Sequence, residues 1–406
     1  MTAARMGVAR IEGAALERLL VGLVDVERAE GTITPLRLPR WAHAQFPNAS
    51  LARMVRCPVG VRLRMWTAAS RIAVDARVAQ YVPEAEADAD AEAVAGRTSP
   101  WLATTGSGSE RRVVARREVA QVDLWVEAGG GSLSLVPGVQ RPAELMLDDE
   151  FPNGGRVVEI WLPHNAQVAL RAIEADAPLL PARASSAARW IHYGSSISQC
   201  NEAVDPLSGW PALAAHTLGA DLHSFAFAGN AMLDPFVARA ISDVPADVIT
   251  LKVGINIVNA AALTARTLGP ALHGFLDRIR EGHPHTPIVV ISAISCPMHE
   301  HTPGPTVWSP EGILTGTVSV PPREGELTLD GARRIVDDVV RARADRDAGL
   351  HLVDGRGLLG AEDAAHLHDG LHPDQGGFDI MGRRFAEIVR ARPALMAAFG
   401  AGTPNA

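Results

Sequence analysis

Cysteine is scarce in this chain of 406 residues: Cys57, Cys200 and Cys296 are the only three. So odd and widely spaced a set excludes a disulfide framework and a CxxC-type zinc site, and it fits a reducing compartment. A surplus of positive charge is lacking too. The formal net charge is -8 at pH 7, which sets aside a nucleic-acid binder, because that role needs a basic face to neutralise phosphates. Long apolar runs are also missing, and none approaches the roughly 20 residues of a membrane helix. Near the N-terminus the short run Leu19–Val24 is closed by Asp25 and Glu27. No small-residue cleavage site follows it, so no signal peptide is expected, and the location read from the sequence is cytoplasmic. No internal repeat of fixed period occurs.

What remains is an ordinary globular composition, 47% hydrophobic and 21% charged, in a chain too long for one typical core. Two textures divide it. Between about residues 55 and 175, short alternating or β-branched runs recur, such as Val59–Thr67, Arg71–Val78, Val122–Glu127, Val157–Leu162 and Val168–Ile173. Turn signals separate them, among them Gly129-Gly130-Gly131 and Pro152-Asn153-Gly154-Gly155. Many short strands of this kind predict a β-sandwich. The acidic run Pro83–Glu92 is read as a solvated loop. Residues 174–188 lack periodicity and carry two prolines, which places a linker there. The expected domains are therefore 1–180 and 188–400.

After the linker, strands and helices alternate. Strands are expected at Trp190–Tyr193, Asp221–Phe227, Val248–Val253, Ile288–Ile294 and Leu350–Asp354. Helices are expected at Pro211–Leu218, from near Pro235, and over Leu263–Arg280, Leu329–Ala344 and Gly376–Arg392. This pattern predicts a five-stranded parallel sheet covered on both faces, with its site outside the carboxyl ends of the strands.

Three strands run into polar, glycine-bearing loops: Gly194-Ser195-Ser196, Ala228-Gly229-Asn230 and Gly254-Ile255-Asn256. Asp369-Gly370-Leu371-His372-Pro373 precedes the final predicted helix. Singly, each is an everyday turn or helix cap. Together they supply an acyl-transfer site. A serine hydroxyl needs a base to take its proton, and a neutral imidazole does so near pH 7. The oxyanion of the tetrahedral intermediate needs donors, and Ser196 N–H, Gly229 N–H and the Asn256 amide form such a set.

These four blocks resemble the GDSL, or SGNH, hydrolase superfamily over about residues 188–392. The family's Ser, Gly, Asn and His match Ser196 in YGSSIS, Gly229 in FAFAGNAML, Asn256 in LKVGINIV and His372 in DGLHPD. Asp369 matches the family's triad acid. The resemblance implies a flavodoxin-like three-layer α/β/α domain, here behind an all-β, jelly-roll-like sandwich. It also implies a Ser196–His372–Asp369 triad with Ser196, Gly229 and Asn256 as the oxyanion hole. One departure stands out: the usual Gly-Asp-Ser is Gly194-Ser195-Ser196, so Ser195 is a rival hydroxyl, and the Gly-x-Ser frame favours Ser196.

The function expected is a serine-dependent acyl-ester hydrolase of esterase, lipase or deacetylase type, working through an acyl-enzyme. The first alternative is an acyltransferase that passes the acyl group to a small-molecule alcohol. The second is a ligand-binding protein with a degenerate catalytic domain, in which Trp66, Trp101, Trp125 and Trp161 of the sandwich serve a glycan rather than the core. Partners expected are an acyl ester or thioester and an alcohol or sugar acceptor. Neither nucleic acid nor membrane is expected, and a homodimer face on the sandwich is left open. No cofactor is expected. Nor is a metal, since the pairs His283/His285, His299/His301 and His366/His368 lack a clear third ligand. Segment 295–306, rich in proline and histidine, is a candidate pocket wall.

Overall fold

Alternating β-branched runs in the first half bury one face each, and the computed structural model of the chain joins those faces into one core. It describes residues 9–82, 91–106, 108–128, 132–138, 140–147, 154–308, 314–316 and 323–400. One compact unit holds the chain up to Arg40 together with Val55–Ser185 and Val204–Leu207. The other holds Trp41–Met54, Ser186–Ala203 and the chain from Ser208 onward.

The first unit is a two-sheet sandwich. Its larger sheet centres on Arg71–Val82, antiparallel to Gln167–Ala175 and parallel to Asp123–Ala128. In the second sheet Arg156–Trp161 runs antiparallel between Arg62–Thr67 and Trp101–Thr105. Leu63, Met65, Ala103 and Ile160 from one sheet share a buried core with Ile72, Val74, Leu145 and Leu170 from the other. Trp101 and Trp161 are buried, whereas Trp66 is exposed. Trp125, half-buried, stacks on Tyr81. The Trp161 ring carries the guanidiniums of Arg62 and Arg111 at 4.6 and 4.9 Å. The stretch expected to be a linker still takes part, since Leu180–Pro181 pairs with Met65–Trp66. The turn at Gly129–Gly131, residues Pro152 and Asn153, and positions 83–90 of the acidic run lie outside the described residues.

The second unit is the expected parallel α/β/α sheet. Its elements in chain order are β1 (Arg189–Gly194), α1 (Ser196–Gln199), α2 (Trp210–Leu218), β2 (Asp221–Ala226), α3 (Pro235–Ser242), β3 (Val248–Lys252) and α4 (Ile255–Asn259). There follow α5 (Ala265–Gly282), β4 (Ile288–Ile291), α6 (Leu329–Arg343), β5 (Leu350–Val353), α7 (Gln375–Arg390) and α8 (Pro393–Phe399). The strand order is β2-β1-β3-β4-β5, every neighbour parallel. β3 and β4 are buried along their whole length, as strands inside a doubly covered sheet must be. Ring stacking of Trp190 on Phe385 fastens β1 to α7.

Two details depart from the expectation. Short helices α1 and α4 follow β1 and β3 directly, each too brief to show a 3.6-residue period. The helix expected to be last ends at Arg390, and Pro393 opens another, α8. Among the described residues no helix is long and apolar enough to cross a membrane.

Candidate active site

The carboxyl ends of β1, β2 and β3, with the loop before α7, bring the four sequence blocks together. Ser195 caps α1: it is buried, and its hydroxyl accepts the N–H of Ile197 at 3.3 Å. That use of Ser195 leaves Ser196 at the first helical position, half-buried, with its Oγ 2.9 Å from His372 Nε2. His372 Nδ1 faces Asp369 Oδ2 at 2.7 Å. The other carboxylate oxygen, Oδ1, accepts the backbone N–H of Leu371 at 2.9 Å and of His372 at 2.6 Å. This tight turn is possible because Gly370 takes a left-handed φ of 81°.

Burial pushes the Asp369 carboxyl up, but the His372 ring and the two backbone N–H donors outweigh it. The carboxyl is held well below its usual range and stays ionised. For His372 burial works downward. The hydrogen bond to Asp369 and the charges of Glu202 and Asp369 overcome it, so the ring sits above its ordinary value. Glu202 is exposed, just beyond α1.

The expected oxyanion donors lie at the carboxyl ends of β1, β2 and β3. Gly229 has φ 68°, and a side chain there would meet nothing within 4 Å, so its backbone is open to an approaching ligand. The Asn256 side chain is oriented, its Oδ1 accepting Ala231 N–H at 3.1 Å, which turns Nδ2 the other way. Among the described residues, no acceptor takes Gly229 N–H or Asn256 Nδ2. As the first helical residue, Ser196 has an N–H without an intrahelical partner.

Sequence reasoning missed the support beneath these groups. A buried polar chain runs under α1: Trp190 Nε1 donates to Thr250 Oγ1 at 2.8 Å, Thr250 Oγ1 lies 2.6 Å from His192 Nδ1, and His192 Nε2 lies 2.8 Å from Ser198 Oγ. Burial, then the charge of Lys252, drives the His192 ring down to about 3, so it is neutral. It is a fixed relay of hydrogen bonds and not a second base. Cys296 Sγ reaches Gly370 O at 3.4 Å, beneath the Asp369–His372 turn. Segment 295–306 is anchored by Glu300, which accepts Cys296 N–H at 2.9 Å and the Arg333 guanidinium at 2.7 Å. Nothing in the local sequence flags these residues, whose roles depend on strand register and on how the loops and helices pack against the sheet. One histidine of each pair is engaged otherwise: His283 Nε2 faces Ile241 O, His299 bridges Thr302 O and Thr306 Oγ1, and His366 Nδ1 faces Asp374. Among the described residues no group of three or more His, Cys, Asp or Glu is arranged to hold a metal ion.

The comparison with known proteins fits this geometry. Residues 192–380 match the model of the GDSL-like Lipase/Acylhydrolase family. They form a GDSL-like lipase/acylhydrolase domain. Solved structures resemble the whole chain, sandwich included. The salicylyl-acyltransferase SsfX3 from a tetracycline biosynthetic pathway is 25% identical, with a TM-score of 0.72 over 96% of this chain and 98% of that one. A protein described as a GDSL-like lipase, from Bacteroides ovatus, is 16% identical, with a TM-score of 0.64 over 95% and 98%. A family two carbohydrate esterase from Cellvibrio japonicus is 14% identical, with a TM-score of 0.54 over 97% and 99%. The last two bear on the fold alone. No curated protein matches the sequence. The match to a lipase/acylhydrolase family supports an enzyme.

Proposed function

We propose that this GDSL-like protein is a serine acyl-ester hydrolase working through an acyl-enzyme, with Ser196 as nucleophile, His372 as general base and Asp369 as the group that orients the imidazole. The observation that carries this reading is the continuous contact Ser196 Oγ to His372 Nε2 (2.9 Å) and His372 Nδ1 to Asp369 Oδ2 (2.7 Å). Ser196 Oγ attacks the ester carbonyl while its proton passes to His372 Nε2. Ser196 N–H, Gly229 N–H and Asn256 Nδ2 receive the oxyanion, each donor worth on the order of 3 kcal/mol in the transition state. The intermediate collapses, the alkoxide leaves with the proton from His372, and the acyl group stays on Ser196. Water, deprotonated by the same imidazole, then releases the acid. Substrates in keeping with the site are esters of small molecules or carbohydrates.

A second reading is transfer of the acyl group to an alcohol in place of water. The whole-chain likeness to the salicylyl-acyltransferase favours it. The two share every step up to the acyl-enzyme.

One experiment tests both. The full chain is treated with a fluorophosphonate and digested, and its turnover of a p-nitrophenyl ester is measured with and without added alcohols. Modification at Ser196, and loss of at least about a thousandfold in kcat for Ser196→Ala, are expected. Full turnover by Ser196→Ala rejects both readings. Release of p-nitrophenol that yields a new ester, not free acid, selects transfer.

A further inference from the structure

The Gly229 N–H can stabilise an oxyanion only if its peptide plane is held at one angle. In a trans peptide the N–H points opposite to the carbonyl of the preceding residue. The direction of Gly229 N–H is thus set by Ala228 C=O. That carbonyl accepts the side-chain amide of Asn230 at 2.6 Å. On its other side, Ala228 N–H donates to Gln199 Oε1 at 2.9 Å. Both faces of the Ala228 residue are therefore gripped by side-chain amides, one from its own loop and one from α1. Neither amide is in solvent: Asn230 is 3% exposed and Gln199 0%.

Gln199 lies three residues after Ser196 on the same short helix, so one rigid turn carries both the hydroxyl and the grip on Ala228. The two amides are themselves held. Gln199 Nε2 donates to Asn201 Oδ1 at 2.9 Å and lies 3.2 Å from Met54 Sδ. Asn230 Nδ2 has a second, longer contact of 3.4 Å with Ser50 Oγ. Ser50 and Met54 belong to the helix Ala49–Arg56. They precede most of the sandwich in the sequence, yet they lie in the stretch Trp41–Met54 that folds with the α/β unit.

We propose that Gln199 and Asn230 are positioning residues: Asn230 holds the carbonyl of the Ala228–Gly229 peptide, Gln199 holds the N–H of the peptide before it, and together they fix Ala228 and so aim the Gly229 N–H at the substrate oxyanion, with Met54 and Ser50 as their backing. This rests on the acyl-enzyme reading of Ser196 given above. The clamp touches no substrate atom. It acts by removing the rotational freedom of the two peptides that meet at Ala228, which would otherwise have to be frozen as charge develops. The loop is ready before substrate arrives, and its orientation depends on a stretch of chain far upstream of the GDSL-like domain. A role thereby falls to part of the first 54 residues that a carbohydrate-binding or capping sandwich does not explain.

The test uses the full chain. Asn230→Asp keeps the shape and removes the donor to Ala228 O. Gln199→Met keeps the volume and removes the acceptor for Ala228 N–H, and an apolar side chain at a buried site guards against misfolding. For each, kcat and KM on a p-nitrophenyl ester are measured alongside Ki for a trifluoromethyl ketone, which forms a tetrahedral oxyanion on serine. Expected is a 10- to 300-fold fall in kcat, a KM within about threefold, and a Ki raised by a factor similar to the loss in kcat/KM. Met54→Leu is expected to fall much less than Gln199→Met. Unchanged kcat in correctly folded Asn230→Asp or Gln199→Met overturns the proposal. So does a loss borne by KM with Ki unmoved. If Asn230→Asp aggregates, Gln199→Met decides alone. Ser196→Ala run in parallel separates the two failures: turnover retained there defeats the acyl-enzyme reading, whereas a dead alanine variant beside a fully active Asn230→Asp defeats only the clamp.

Discussion

His372 Nε2 and Ser196 Oγ stand 2.9 Å apart although 176 positions separate the two residues in the chain. The proposed chemistry depends on that contact, and the contact depends on how Asp369 holds the ring. Replacing Asp369 by Asn keeps the size and one acceptor oxygen, but it takes away the charge and presents an N–H₂ group. The imidazole would then favour the wrong tautomer. A fall in kcat of about 10² to 10⁴ is expected, with KM little changed. Steady-state kinetics on a p-nitrophenyl ester measure it, and a loss under tenfold would argue against this role for Asp369.

The pH profile should carry the mark of Glu202. His372 must be neutral to act as base, and its environment raises it above the ordinary histidine value of 6.5. The acid limb of kcat/KM is therefore expected to have its midpoint above pH 6.5. Charges acting on the ring are Asp369 and Glu202, with the His368 ring nearby at 6.3 Å between centroids. Glu202→Gln removes one raising charge, so the acid limb should move to lower pH with the plateau rate kept. An acid limb that stays in place would show that Glu202 is too well screened to matter.

Lys252 is the only lysine in the chain, and it is buried at the end of β3. Among the described residues its Nζ has no hydrogen-bond partner. Burial lowers it to about 8, with Cys200 and Cys296 opposing and Arg333 assisting. A base lowered from 10.5 to about 8 binds fewer protons folded than unfolded between those values. Its contribution to stability therefore rises with pH across roughly pH 8 to 10.5 and is most unfavourable below 8. Lys252→Met should stabilise the fold below pH 8 by on the order of 1–3 kcal/mol. The gain should fade toward pH 10.5. Urea unfolding of both proteins at pH 7 and pH 10 measures this, and equal gains at the two pH values would refute it.

In the sandwich, Glu159 is buried beside Arg62 at 2.9 Å, Arg111 at 3.4 Å and Arg64 at 3.8 Å. Glu159→Gln leaves these guanidiniums without their counter-charge in a dry site. A destabilisation of about 3–5 kcal/mol is expected. Differential scanning calorimetry would register it, and a melting temperature within a degree of wild type would contradict it.

The fold class could be read from the sequence because its signals are local. The apolar runs at Val248–Lys252 and Ile288–Ile291 are buried end to end, and helix starts are marked by residues such as Thr328 and Asp374, whose side chains cap Gly331 N–H and Gly377 N–H. Strands such as Ala9–Glu12 and Ala143–Met146 were less visible, since four residues are too few to set a period. Ser196, Gly229, Asn256, Asp369 and His372 stood out because each sits in a glycine-bearing loop after a strand or before a helix. Ser195 could not be told from Ser196 by composition; its use as the cap of α1 separates them.

Amino-acid order alone determined which segments become strand or helix and which loops carry chemically able groups, since periodicity, turn residues and caps act over a few neighbours. Tertiary structure decided what those groups can do together. The 2.9 Å meeting of Ser196 with His372 and the hold of Gln199 on Ala228 join residues distant in the chain, and the burial of a lone lysine likewise depends on the folded surroundings. Contacts of that kind are fixed by strand register and by packing against the rest of the fold, neither of which any short stretch of sequence encodes.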